Sequence, residues 1–246
     1  MYRVALPDRL EEGRRYRVLY VLPVEAGLNR KYGDPLEVFR TMNVHNRHGL
    51  ILVVPQFETD PWYGNHATDP RRQYEAAMVK EIVSDVDRLY PTVACAEGRI
   101  LVGFSKSGWG AFTLILRNPD VFGYAASWDA PLMMTEKHFG SWRTDETFGT
   151  PQNMAAYVPT RLFQQSSAEF QKKTRLVLAG KNLFGSACDP RFPYEGPSQT
   201  EAAHASMEKH GIRHVYDAGV IAPHQWHGGW IAPVLAMVLE LAGEQR

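Results

Sequence analysis

A mostly parallel central sheet with helices on both faces, an α/β architecture, is predicted by three observations. Short apolar runs alternate along the chain with helix-like segments. Most of those runs are rich in Val, Ile or Leu, as the strands of a covered sheet are. No internal repeat or low-complexity linker divides the 246 residues, so they read as a single domain, 1–246.

The expected strands are YRVAL from Tyr2, YRVLYVL from Tyr16, LILVV from Leu50, RILVG from Arg99, YAASW from Tyr124, RLVLA from Arg175 and RHVYD from Arg213. Helix signals lie between them. Asp34-Pro35 reads as an N-cap followed by a first-turn proline, with a stop near Gly49. Asp69-Pro70 opens a second helix in the same way, and Pro91 closes it. A third begins just after Ser105 and stops before Asn118-Pro119. Ser198 with Glu201 forms a capping box for a fourth, which Gly211 ends. The last runs from about Trp230 to Gly243. The stretch 133–160, rich in Trp, Phe, Thr and Gly, reads as a loop and a candidate small lid-like insertion.

Composition narrows the function classes. Hydrophobic residues make up 44% and charged residues 22%, the balance of a globular chain. Lys plus Arg and Asp plus Glu are both 27, a formal net charge of +0, so the basic surplus that nucleic acid or an anionic membrane would require is absent. Cys95 and Cys188 make neither a disulfide framework nor a zinc site and read as two free, mostly buried thiols. The opening MYRVALPDRLEEGRRYRVLYVLP lacks the pattern of a secretory leader, and WIAPVLAMVLELAG is too short to span a membrane and carries Pro233. The expectation is a cytoplasmic protein with no membrane span, no nucleic-acid partner, no cofactor and no metal.

The chemistry concentrates in RILVGFSKSGWGAF. A strand runs into Gly103-Phe104-Ser105-Lys106-Ser107 and an apolar helix follows, the strand–turn–helix context of a nucleophile elbow. The turn demands small residues two before and two after the serine. Gly103 and Ser107 meet that demand around Ser105, whereas a nucleophile at Ser107 would put Trp109 at a position that must be small. The turn aims the backbone N–H of Lys106 at a developing oxyanion. A serine needs a general base. In this fold the base follows the last strand, where AGVIAPHQWHGGW offers His224, the preferred candidate, and His227. His45, His48, His66, His138, His204, His210 and His214 lie elsewhere in the strand order and read as solvated or packing histidines.

The orienting acid lies between serine and histidine in the chain. Asp189, in the loop after RLVLA, is the first choice; Asp129, in SWDAPL, and Glu195 are the alternatives. Asp189 also reads as ordinary Asp-Pro turn chemistry. A second oxyanion donor is expected from a backbone N–H near Val24 or Glu25, in the loop after YRVLYVL. Trp62, Tyr63 and His66 read equally as substrate-pocket wall and as a packed aromatic loop; Asp129, if not the acid, belongs to the pocket.

With YRVLYVLP before it and PHQWHGGW after it, the string GFSKSGWGAFTLILRNPDVFGYAASWDAP resembles the esterase branch of the α/β hydrolases. That branch includes enzymes similar to S-formylglutathione hydrolase, feruloyl and acetylxylan esterases and mycolyltransferase-like proteins. The resemblance covers roughly Tyr2 to Leu241. It implies an α/β-hydrolase fold and cleavage of a small-molecule or carbohydrate-linked carboxylic ester through an acyl-enzyme. It carries over to Ser105 as nucleophile, to His224 in a His-x-Trp context as base, and to Asp189 as acid. Three departures are Ser107 in place of glycine, Lys106 next to Ser105, and Pro23-Val24-Glu25 where many relatives have His-Gly. Acyl transfer to an alcohol and a non-catalytic binding module on the same scaffold are the rival readings.

Overall fold

A computed structural model describes residues 1–27, 31–180 and 198–243. Seven strands form one sheet: β1 (Tyr2–Ala5), β2 (Arg17–Val21), β3 (Leu50–Pro55), β4 (Arg99–Phe104), β5 (Tyr124–Trp128), β6 (Leu176–Ala179) and β7 (His214–Asp217). Their spatial order is β1-β3-β2-β4-β5-β6-β7. Only β1 runs antiparallel to its neighbour; the other pairs are parallel. All seven lie within or against the predicted runs. Every residue of β3, β4 and β5 is buried, because helices cover both faces there, whereas the edge strands β1 and β7 are mostly half-buried.

The helices, in chain order, are α1 (Pro35–Thr41), α2 (Val44–His48), α3 (Tyr74–Ala76), α4 (Val83–Leu89), α5 (Lys106–Arg117), α6 (Thr144–Phe148), α7 (Pro151–Ala155), α8 (Pro159–Gln165), α9 (Ser167–Lys172), α10 (Gln199–Lys209) and α11 (Ile231–Gly243). Two apolar clusters divide the core. Val18, Tyr20, Ile51, Val53 and Leu101 pack with α4, α5 and α10 on one face. Leu19, Val21, Leu52, Ile100 and Val102 pack with α1 and α11 on the other. The period-2 alternation along each strand sorts its residues between them.

Several expectations change in detail. The helix opened by Asp34 is broken at Asn43, whose φ of 56° lies in the left-handed region, so α1 and α2 are separate. Asp69 opens no helix: its side chain accepts from the Arg71 N–H and guanidinium, an Asx-type turn, and the helix starts at Tyr74. It then runs through a π-helical stretch, Ala77–Ile82, into α4. The stretch 133–160 is a chain of short helical turns rather than a loop. Cys95 is exposed, not buried, and Cys188 lies outside the described residues. No helix among the described residues is long and apolar enough to cross a membrane.

The order of strands matters for the site. From β2 the chain moves one way to β3, then returns to the other side of β2 as β4. The crevice at the carboxyl ends of β2 and β4 is a topological switch point, where such sheets bind ligands. The loop after β2 and the turn after β4 both open there.

Candidate active site

Ser105 sits between the last residue of β4 and the first of α5 with φ 54° and ψ −134°, a backbone conformation that a non-glycine residue adopts only under constraint. The constraint comes from the next strand. The Ser105 N–H is shared between the carbonyls of Trp128, at 3.2 Å, and Asp129, at 3.1 Å. A Cβ on Gly103 would stand 2.5 Å from the Ser107 backbone, so only glycine fits. Ser107 is fully buried; its hydroxyl donates to the Phe104 carbonyl at 2.8 Å and accepts the Phe104 N–H at 3.1 Å. The second small position of the elbow is thus a serine that laces the turn to itself. Ser105 is partly exposed at the head of α5, where the Lys106 and Ser107 N–H groups precede the first intrahelical bonds, which the Gly108 and Trp109 N–H groups make to the Ser105 carbonyl.

His224 approaches from the loop after β7. Its Nδ1 lies 2.6 Å from Asp129 Oδ2. A carboxylate can only accept, so Nδ1 carries the proton and Nε2 holds the basic lone pair. Asp129 follows β5 directly and is buried, with φ 44°. Its neighbour Trp128 pairs in register with Phe104, so Asp129 and Ser105 are the next step on adjacent strands. The imidazole is fixed by rings: it stands edge-on to Phe104, centroids 4.9 Å apart, and to Tyr32 at 5.5 Å. Phe104 in turn stands edge-on to Trp226 at 4.9 Å, and Trp128 stacks on Trp230 at 5.0 Å. The tryptophan of the His-x-Trp string is therefore core, and it anchors the histidine loop.

His227 is exposed and lies against Gly33, apart from this cluster. Asp189 and Glu195 lie outside the described residues. The carboxylate that meets His224 is Asp129, which the sequence reading ranked second as acid and placed in the pocket. Trp62 and Tyr63 are fully buried. Trp62 stacks on Trp142 and donates to its carbonyl at 2.9 Å; the Tyr63 hydroxyl donates to the Pro23 carbonyl at 2.7 Å. Burial holds the Tyr63 hydroxyl well above the ordinary tyrosine range. Of the two readings, packed aromatic loop is the one this geometry matches.

The sequence reading assigns Lys106 a role through its backbone N–H alone; the part played by its side chain is seen only in the structure. Lys106 is buried, and its Nζ lies 2.7 Å from Asp60 Oδ2 and 3.9 Å from Glu25 Oε1. Asp60 Oδ1 also accepts the Ala26 N–H at 3.1 Å, and its carbonyl accepts from the Thr147 hydroxyl. The ammonium beside Ser105 thus joins the elbow to the loops after β2 and β3. The signal available in the sequence was a lysine at the head of an otherwise apolar helix, which demands a buried counter-charge.

The sequence profile described as "Putative esterase" matches residues 1–241. No curated protein matches in sequence. Among solved structures, a ferulic acid esterase is similar over 98% of this chain and 92% of its own, with TM-score 0.71 and 16% identity. An S-formylglutathione hydrolase from Agrobacterium tumefaciens is similar over 100% and 90%, with TM-score 0.72 and 13% identity. The fluorophosphonate-binding serine hydrolase F of Staphylococcus aureus is similar over 98% and 91%, with TM-score 0.70 and 15% identity. The fold expected from the elbow motif, that of the α/β hydrolases, is the fold observed.

Proposed function

The chain belongs to the "Putative esterase" family and is a carboxylic ester hydrolase, and from that premise we propose that Ser105, His224 and Asp129 are its catalytic triad. The observation that carries this reading is the 2.6 Å contact from His224 Nδ1 to Asp129 Oδ2, made by an aspartate whose own carbonyl holds the Ser105 N–H.

In this mechanism His224 Nε2 takes the Ser105 hydroxyl proton as Oγ attacks the acyl carbon, and Asp129 stabilises the imidazolium that forms. The backbone N–H groups of Lys106 and Glu25 hold the oxyanion, the first helped by the dipole of α5. Collapse of the tetrahedral intermediate expels the alcohol, which takes the proton from His224. Water, deprotonated by the same imidazole, then attacks the acyl-serine; the acyl–Oγ bond breaks, Ser105 Oγ takes the proton back from His224, and the acid is released. The Lys106–Asp60–Glu25 ion cluster keeps the two donor-bearing loops in register. The substrate is a small-molecule or carbohydrate-linked ester.

A fluorophosphonate probe tests the nucleophile. Peptide mapping after labelling is expected to place the adduct on Ser105 alone, and Ser105→Ala to abolish it. Label on Ser107 or none in folded protein would refute the assignment.

A further inference from the structure

At the far edge of the sheet, α10 and β7 bring together three side chains that the ester chemistry does not use. His204 and Glu208 are one helical turn apart on α10, and His214 opens β7. One ligand-capable atom from each lies within 4.8 Å of the others. The closest approach is His204 Nδ1 to His214 Nε2, 2.8 Å.

The tautomers follow from the surroundings. His214 Nδ1 is 2.8 Å from the Ile212 carbonyl, which can only accept, so Nδ1 carries the proton and Nε2 presents its lone pair to His204. A backbone carbonyl holding the far nitrogen is the arrangement that fixes and aims metal-binding imidazoles. His204 is set by the Tyr216 ring, stacked on it with centroids 4.3 Å apart. When His204 carries its proton on Nε2, both facing nitrogens offer lone pairs to one point. Glu208 is exposed, so its carboxylate is able to swing toward that point.

We propose that His204, Glu208 and His214 bind Zn²⁺, with water as the fourth ligand. Two imidazoles and a carboxylate suit a borderline divalent ion. Metal–nitrogen distances of about 2.0–2.1 Å put tetrahedral ligands roughly 3.3 Å apart, so the histidines need to part by only a few tenths of an ångström. The ion would clip α10 to the edge strand that leads into the His224 loop. The ester chemistry does not route through it: β7 is three strands from β4, roughly 14 Å across the sheet. His214 is also in register with Leu176, Ala125 and Leu101, four residues and roughly 13 Å short of Ser105 along the strands. The role is structural.

The test uses the purified chain, stripped with chelator and equilibrated with zinc sulfate. Elemental analysis after dialysis is expected to give one zinc per chain, with Tm raised by about 2–6 °C. His214→Ala should lose the zinc and the Tm response. Glu208→Gln, at an exposed site that leaves packing intact, should weaken binding about tenfold or more. Ester turnover of the stripped protein should equal that of the loaded protein. No zinc uptake at 1:1 stoichiometry, or uptake unchanged in Glu208→Gln and in a folded His204→Ala/His214→Ala chain, would overturn the site and leave the pair a plain imidazole–imidazole hydrogen bond.

Discussion

His224 has Nδ1 committed to a buried carboxylate and its ring clamped by Phe104 and Tyr32, whereas His227, three residues on, faces solvent beside Gly33. His224→Ala is accordingly expected to abolish aryl-ester turnover in a chain whose circular dichroism is unchanged, and His227→Ala to keep most of it. The reverse would move the base to the exposed residue. Asp60 is a sharper case, since it touches the Lys106 ammonium and the Ala26 N–H without reaching the reacting atoms. Asp60→Asn should loosen the oxyanion donors and lower kcat by about 10²-fold, the worth of one such donor, with KM little changed. A rise in KM at constant kcat would show instead that Asp60 shapes the substrate pocket. Neither the Lys106 ion cluster nor the lacing role of Ser107 was legible in the string GFSKSG, because both depend on contacts made only once the turn closes.

At the scale of elements, two junctions carry stability that can be measured. Asp34 caps α1, accepting from the Leu36 and Glu37 N–H groups, and forms a two-pronged pair with Arg3 on β1. The Arg3 hydrogen bonds, above all, hold its carboxyl below the ordinary 3.8. The folded state therefore binds fewer protons there than the unfolded chain, so the stabilisation is complete above about pH 4 and fades as pH falls through the depressed value. Asp34→Ala should cost about 1–2 kcal/mol in urea unfolding at pH 7, and the gap to wild type should narrow in acid. A gap independent of pH would mean that the charge does not matter. The second junction is the elbow. Gly103→Ala drives a Cβ into the Ser107 backbone, which has nowhere to go, and should destabilise by about 1–3 kcal/mol while lowering turnover. The Asp34-Pro35, Ser198–Glu201 and Gly103–Ser107 signals all correspond to observed junctions, since each is local chemistry. Asp69-Pro70 misled for the same reason: an Asx turn and an N-cap use the same residue, and only the following backbone separates them.

The molecule as a whole assembles its site by topology. The β2/β4 switch brings two loops to one crevice, and the parallel β4–β5 register sets Asp129 beside Ser105. That register is why the carboxylate that meets His224 was not legible from chain order. Both Asp129 and Asp189 fall between the serine and the histidine, and choosing between them requires knowing which strand lies next to the elbow and which loop the histidine reaches. The sheet, most of its helices and the tight turn at Ser105 were legible because apolar runs and a strand–turn–helix string report on them directly. The central claim is that Asp129 orients His224. The direct measurement is kcat on one short-chain aryl ester for Asp129→Asn and Asp189→Asn, each first shown to be folded. Asp129→Asn should fall by about 10⁴, the worth of an orienting carboxylate in a serine triad, with Asp189→Asn near wild type. Collapse of Asp189→Asn with Asp129→Asn active would contradict the account.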